Sequence, residues 1–542
     1  MREQLLTIVI ILPVAWQPLH AQTVLDRVDP SRIASQLPQA PDYGGAISPA
    51  RVQTSDLARN SIAEVRVGAI ILTGLSRLRN ADFSDIVGAY VGRSLSAAEL
   101  GELIAKISDR ARQRGFAFAQ ATAAPQSMTA GLLRIEVDEG SIDEVRLQGI
   151  DSEAVRASLD SLIGKGPLLI KEIAQRLLIA GDVNGVTLKG ARYLRENGRG
   201  VLVIDVTRKR IALYSEIGNS GSKAVGPVQA DLTLVARQLL SDDDAVTATV
   251  LVTPADPKEL SYGRVQYSKR ISSDGTEALM AVAYSSSRPG SIYRASNVRG
   301  TSFQADAAVV RPIERSNWSS VWAQARISYE AVSQDLGTLA VRSDRIFSEA
   351  LGVYGVSRVA GGTLRANASL THGYLTNGSD VVSAGYESRR SFLAALVSTD
   401  WTTPSFAGVS GRVAMTTQIA SNALPPSAQL ALGGTTFGRA YNEGERLGDE
   451  GTMGSIEFRF DLPRALGPLL HPQLYAFVDG GRVTNLSGGG AGSALFSSGA
   501  GIRAGIGPTG TADLGLAVPL SGPRYDGVGQ SPVINFRMAR GF

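Results

Sequence analysis

The sequence predicts two small α+β modules followed by a closed transmembrane antiparallel β-barrel of about sixteen strands. Three observations carry this reading. The chain opens on a charged, then apolar run; helix and strand textures alternate twice up to residue 209; and from residue 210 to the end helical periodicity gives way to period-two alternation. At 542 residues and 44% hydrophobic content there is apolar surface enough for sizeable cores. With 59 glycines against 6% aromatics, the composition favours many tight turns between short strands.

The first element is an export signal over residues 1–21. Arg2 supplies the charge, Leu5 to Trp16 form the apolar run, and Ala21 occupies the cleavage position, so the mature chain begins at Gln22. The run falls short of the roughly 18 apolar residues that an anchoring helix needs. Residues 22–62 then form an N-terminal extension and linker with one short helix, capped by Asp29, opened by Pro30 and ended by Pro38 after Leu37.

The first module spans 63–141. Alternation in EVRVGAIIL from Glu64 predicts a strand, and Ser96 with Glu99 forms a capping box ahead of Leu100, Leu103, Ile104 and Ile107 at helical spacing. GFAFAQA from Gly115 and LLRIEV from Leu132 are expected as strands, closed by the turn Asp138-Glu139-Gly140. The second module spans 142–209: IDEVRLQGI as strand, SEAVRASLDSLI and IKEIAQRLLIAGD as helices, and YLRENGRGVLVIDV as a strand pair around a glycine turn. The order strand, helix, helix, strand, strand occurs twice, which points to a duplicated module.

From 210 to 542 the pattern is that of a barrel. Val321, Ala323, Ala325, Ile327 and Tyr329 share one face, opposite Trp322, Gln324, Arg326, Ser328 and Glu330. The same split recurs in Leu364 to Leu370, and in Ile456, Phe458 and Phe460 against Glu457, Arg459 and Asp461. About 330 residues of such strands exceed what one soluble sandwich core uses, whereas closure into a barrel removes every edge. The last strand ends on Phe542, with Met538, Phe536 and Ile534 alternating ahead of it on the same face as Arg540, and this resembles the assembly signal of outer-membrane barrels.

The chemistry left open is narrow. A net charge of +4 without a basic stripe offers no field for nucleic acid. Absence of cysteine removes thiolate nucleophiles and Cys-bound zinc, and beyond His20 only His372 and His471 remain, too few for a histidine metal site or a Ser-His-Asp triad. Ser220-Gly221-Ser222-Lys223 fits S-x-x-K, but its companion motifs S-D-N and K-T-G are missing and it falls in a strand-end turn, so it reads as coincidence. No P-loop is present, and neither enzymatic activity nor a cofactor is expected.

The residues resemble a known family, the two-partner secretion outer-membrane transporters, or haemolysin secretion/activation proteins, of the BamA-like superfamily. The likeness covers nearly the whole mature chain. SAAELGELIAKISDRARQRGFAFAQA, AAPQ at Ala123 to Gln126 and GLLRIEVDEGSIDEV are similar to a polypeptide-transport-associated (POTRA) domain, and IKEIAQRLLIAGDVNGV to a second one. SEIGNSGSKAVG resembles the family's entry into the barrel. LGGTTFGRAYNEGERLGDEG, Leu432 to Gly451, resembles the long sixth extracellular loop, placed here at 421–450, whose family core is Val-Arg-Gly-Tyr/Phe. Arg439 and Tyr441 match that core, while Gly438 and Ala440 stand where Val and Gly are usual. AFVDGG, Ala476 to Gly481, is similar to the Phe-x-Asp-x-Gly of the inner barrel wall and places a carboxylate at Asp479.

The resemblance implies a location in the outer membrane of a Gram-negative bacterium, with the POTRA modules in the periplasm. It implies export of an unfolded secreted partner polypeptide, an adhesin or cytolysin of the TpsA-like class, without nucleotide. Outer-membrane lipid and, during biogenesis, the barrel-assembly machinery are the other implied partners. The POTRA modules would hold an extended client by β-augmentation. An Arg439 to Asp479 lock is expected, since one aspartate can offer a guanidinium fork two parallel hydrogen bonds. A barrel insertase and a passive porin or receptor remain as alternatives.

Overall fold

The computed structural model describes residues 29–32, 51–52, 65–124, 126, 131–377, 391–463, 469–486, 492–525 and 529–542. The export signal expected at 1–21 and most of the 22–62 extension lie outside the described residues.

In the first module the capping box forms as read: the Ser96 hydroxyl accepts from the Glu99 amide at 3.3 Å and the Glu99 carboxylate accepts from the Ser96 amide at 2.9 Å. The short helix α1 (Ser84–Gly88) precedes this cap, and α2 (Ala97–Gln113) follows it, burying Leu103, Ile107 and Ala111 against the sheet. That sheet has Leu132–Asp138 at its centre, parallel to Ala69–Thr73 and antiparallel to Gln120–Thr122.

The strand expected over GFAFAQA is a correction. Only Gln120–Thr122 is strand, and the preceding residues fold into turns in which the Phe116 amide donates to Ala111 and the Ala119 amide to Phe116. The cause is that the two phenylalanines serve different cores. Phe116 is buried in the first module, whereas Phe118 belongs to the second and stacks on Tyr193 with ring centroids 4.0 Å apart. An alternating strand cannot deliver both rings to those two places.

The second module repeats the topology. Glu144–Gly149 pairs parallel to Arg199–Arg208, which is antiparallel to Val186–Glu196, and α3 (Glu153–Leu159) and α4 (Ile170–Gly181) pack over them. Asn197 and Gly198, at φ +51° and +79°, make the two-residue hairpin turn that their sequence announces. Arg51–Val52 adds a short parallel strand to the outer edge of Val186–Glu196.

Sixteen antiparallel strands then close into a barrel. The first eight are β1 (Ile211–Gly218), β2 (Gln229–Arg237), β3 (Asp244–Val252), β4 (Leu260–Arg270), β5 (Glu277–Ser287), β6 (Val298–Arg315), β7 (Ser319–Leu336) and β8 (Leu339–Val359). The rest are β9 (Gly362–Asn377), β10 (Ser391–Thr402), β11 (Val409–Ala420), β12 (Glu450–Asp461), β13 (Leu469–Thr484), β14 (Gly492–Ile506), β15 (Gly510–Pro519) and β16 (Val533–Gly541). Alternation sorts the side chains: Ile456 and Phe458 are 51% and 67% exposed on the outer wall while Glu457 between them is 1% exposed inside. Among the described residues no helix is long and apolar enough to cross a membrane.

Module two is tied to the barrel rim. Asp182 at the end of α4 takes two hydrogen bonds from Arg315 at 2.7 and 2.9 Å, and Arg270 donates to the Ser158 hydroxyl and the Ile179 carbonyl, each at 2.9 Å. Ser152 donates to Asp242 in the β2–β3 turn. This places the second module at one mouth of the barrel, and the hairpins that follow β3, β5 and β7 at the other end.

Candidate functional site: the inward loop and its wall

The long segment between β11 and β12 turns into the lumen. A two-stranded ribbon, Leu430–Leu432 with Arg446–Gly448, forms its stem. At its base Asp449 is fully buried and accepts from the Leu424 amide at 2.8 Å, the Gln429 side chain at 2.9 Å and the Leu486 amide at 2.7 Å. One carboxylate thus ties the loop to the β13–β14 connection.

The four tip residues are all held. Gly438 adopts φ +84°, a left-handed conformation that a Val would resist, whereas Ala440 needs no positive φ. This chain makes its left-handed turn at 438. The Tyr441 amide closes that turn onto the Gly438 carbonyl at 2.8 Å. Ala440 is fully buried, its carbonyl accepting from Arg524 at 3.1 Å, and the Tyr441 hydroxyl bridges the Gly522 carbonyl and the Ser521 amide at 3.2 and 3.1 Å.

Arg439 meets Asp479 on β13, but the fork is shared differently from the expected parallel pair. Its Nε donates to Asp479 Oδ2 at 2.6 Å, one terminal nitrogen to Glu457 Oε2 at 2.8 Å and the other to Ser455 Oγ at 3.0 Å. The other Asp479 oxygen is already taken by the Gly438 and Arg439 amides, at 2.9 and 3.2 Å, and by the Ser497 hydroxyl. The guanidinium lies 3.6 Å from the centre of the Phe477 ring. Asn535 on β16 holds the Arg439 carbonyl at 3.0 Å. Three acceptors on two strands fix the plane of the fork more tightly than one carboxylate.

Glu457 is the residue that sequence reasoning placed on the polar face without giving it a partner. It also accepts from Arg459 at 2.8 Å and Arg503 at 3.0 Å, and Arg503 reaches Asp513 at 3.2 Å. The signal was present in the alternation of β12, which aims Glu457 inward on the strand next to that of Asp479.

A second occupant of the lumen comes from the N-terminus. Pro30–Arg32 is a 3-10 turn, and of the helix expected over 30–37 the residues beyond 32 lie outside the described residues. Asp29 caps it, accepting from the Ser31 amide at 2.8 Å and hydroxyl at 2.7 Å, and pairs with Arg342 of β8 at 2.5 Å. Ser285 of β5 donates to the Pro30 carbonyl at 2.8 Å, and the Pro30 ring lies so close to Gly300 of β6 that a Cβ there would stand 3.0 Å from it. Arg32 reaches the inward loop, where a Cβ on Gly444 would stand 2.6 Å from its guanidinium.

Between these two occupants and the wall lies a cavity of about 2140 Å³, whose lining mixes apolar side chains with Gln266, Gln304, Asn367 and Thr416, with Arg264, which faces Asp306 at 3.3 Å, and with Arg412, which faces Asp400 at 2.5 Å. Of the S-x-x-K residues, Ser220 borders this cavity and Lys223 does not, both in the β1–β2 connection. Of the terminal residues, Met538 and Phe542 face outward and Phe536 is half-buried.

Comparison with known proteins fits this geometry. The haemolysin secretion/activation protein ShlB/FhaC/HecB family matches residues 198–504, and the ShlB-type POTRA domain matches 65–140. The heme/hemopexin transporter protein HuxB of Haemophilus influenzae (strain 86-028NP) is 23% identical over 402 residues, covering 70% of this chain and 69% of that one. The solved structure of CdiB from Escherichia coli superposes with a TM-score of 0.69 at 18% identity, covering 92% of this chain and 94% of that chain. BamA from Haemophilus ducreyi lacking POTRA domains 1–3 gives 0.52 at 13% identity over 89% of this chain and 100% of that chain, a likeness of fold alone. With more than half of its length matched, the chain belongs to the ShlB/FhaC/HecB family of haemolysin secretion/activation proteins.

Proposed function

We propose that this protein is an outer-membrane translocator that carries one unfolded partner polypeptide, an adhesin or cytolysin, from the periplasm to the cell surface. The observation that carries the reading is a lumen of about 2140 Å³ at whose mouth the second of two α+β modules is anchored. The amides and hydroxyls of this lumen and its paired charges, Arg264 with Asp306 and Arg412 with Asp400, offer a passing chain weak holds, which suits transit better than storage. The modules present sheet edges to an extended client at that mouth.

Within this reading Arg439, clamped by Asp479 and Glu457, sets the position of the inward loop, with Gly438, Ala440 and Tyr441 shaping its tip. Phe536, Met538 and Phe542 form the assembly signal read by the barrel-assembly machinery. The deciding experiment compares culture supernatant and outer membrane from cells with and without the chain. Loss of one large supernatant protein is expected. A general fall in outer-membrane barrels would indicate an insertase instead, and no change in either fraction would leave a porin or receptor.

A further inference from the structure

A closed barrel has one junction that is not a hairpin, where the first strand meets the last. Here β1 and β16 share five register pairs, Tyr214 with Gly541 through Gly218 with Arg537, against eight in each flanking pair, β1–β2 and β15–β16. By backbone alone this is the weakest line in that part of the wall. Side chains make up the difference.

At the extracellular end, where β1 leaves the ladder, Asn219 continues it with its amide. Its Nδ2 donates to the Ile534 carbonyl at 2.7 Å and its Oδ1 accepts from the Phe536 amide at 2.7 Å, so one side chain supplies the donor and acceptor that a further strand residue would have supplied. The Asn219 backbone amide adds a bond to the Phe536 carbonyl at 3.2 Å. Inside the lumen Arg537 grips Glu216 through two bonds, at 2.6 and 2.5 Å. At the periplasmic end the Phe542 amide donates to the Leu213 carbonyl at 2.9 Å, and the Tyr214 ring covers Gly541. Asn535, next to this line, also holds the Arg439 carbonyl, so the inward loop braces the β16 side.

We propose that Asn219 and the Glu216–Arg537 pair are seam-closing residues that keep the β1–β16 junction shut during transport, so that the client leaves through the extracellular end of the lumen and never through the wall. The inference rests on the export reading above. A protein that released clients sideways into the membrane would gain from a junction held by backbone pairs alone. This one carries a charge-assisted fork and an amide that imitates a strand, both spanning only the junction.

The absence of cysteine makes the test direct. Ile217 and Met538 are register partners on the outer face, so Ile217→Cys with Met538→Cys can be joined by a disulfide across the junction. Cells carrying the oxidised, heat-modifiable barrel are expected to release the supernatant protein that depends on this chain at the wild-type rate, within about twofold. Release lost on oxidation and restored by reductant, with the barrel still folded, overturns the proposal. Because the reduced variant reports on export itself, a failed export reading shows as no dependent supernatant protein in either state. As a second measurement, Asn219→Ala with Glu216→Ala is expected to unfold at a lower temperature on heated gels. An unchanged transition would equally overturn the assignment of these residues.

Discussion

Removing the side chain of Arg439 should free the inward loop from its wall. The substitution Arg439→Ala takes a guanidinium from Asp479 and Glu457, whose side chains are 0% and 1% exposed. Breaking a buried pair by deleting one partner costs about 3–5 kcal/mol, and a ring-stacked cation adds roughly 0.5–2 kcal/mol. The lower end applies here, because Glu457 keeps Arg459 and Arg503, and Asp479 keeps two loop amides and the Ser497 hydroxyl. A loss of about 3 kcal/mol multiplies the undocked fraction by roughly 150. The assay uses the fully buried Ala440 as reporter. With Ala440→Cys as the sole thiol, labelling requires the tip to leave its site, and its rate should rise about a hundredfold when Arg439→Ala is added. Arg439→Lys should fall between, since an ammonium cannot face three acceptors in one plane. A rise of less than about threefold, worth roughly 0.6 kcal/mol, would mean that the backbone and Tyr441 hold the tip and the guanidinium does not.

Four further outcomes follow from the geometry. Glu139 is 2% exposed and receives the amides of Ser76, Arg77 and Leu78, so Glu139→Ala should cost about 3 kcal/mol locally and speed hydrogen exchange at those amides. Burial alone would push the Glu139 carboxyl up, but those amides outweigh it and hold it below its ordinary value of 4.5; its stabilisation is complete above that value and is lost as pH falls through the lowered one, which an acid titration of the same exchange will register. Asp182→Ala strands Arg315 at the module–barrel joint with only Ser320 and the Trp322 face, and spin labels across the joint should show a second distance population. Deleting Phe542 removes the bond to Leu213 and the terminal aromatic, and the folded outer-membrane band should fall several-fold, while an unchanged band would dismiss the signal. Asp29→Ala should raise the ion conductance of the purified barrel in planar bilayers, and equal conductance would mean that the N-terminal turn does not obstruct the lumen.

What was legible in the sequence was local. The Ser96–Glu99 box, the Asn197-Gly198 turn and the alternation around Trp322 and Glu457 each encode their structure within a few residues, because a cap, a turn and a pleat are set by neighbouring dihedrals. GFAFAQA was misleading for the same reason: its pattern is that of a strand, and only the long-range demand of two cores for Phe116 and Phe118 overrides it. At the site, Arg439 and Asp479 could be named from motifs, but the division of the fork between Asp479, Glu457 and Ser455 depends on the β12–β13 register, which no local pattern specifies. Asp29 was readable as a cap and invisible as a partner of Arg342, 313 positions away.

The two occupants of the lumen differ in what they would leave behind. If the N-terminal turn withdraws, Arg342 loses Asp29 but keeps Asp344 beside it on the same strand, so its own charge is not stranded. If the inward loop withdraws, Asp479 loses Arg439 and both tip amides together and retains only Ser497, deep in the wall. Since an unpaired buried charge costs several kcal/mol, the wall residues make the first departure the easier one. A client entering from the periplasmic mouth would therefore displace residues 29–32 before it moved the loop. The contact of Arg32 with Gly444 joins the two occupants, so that departure of the turn also uncovers that part of the loop.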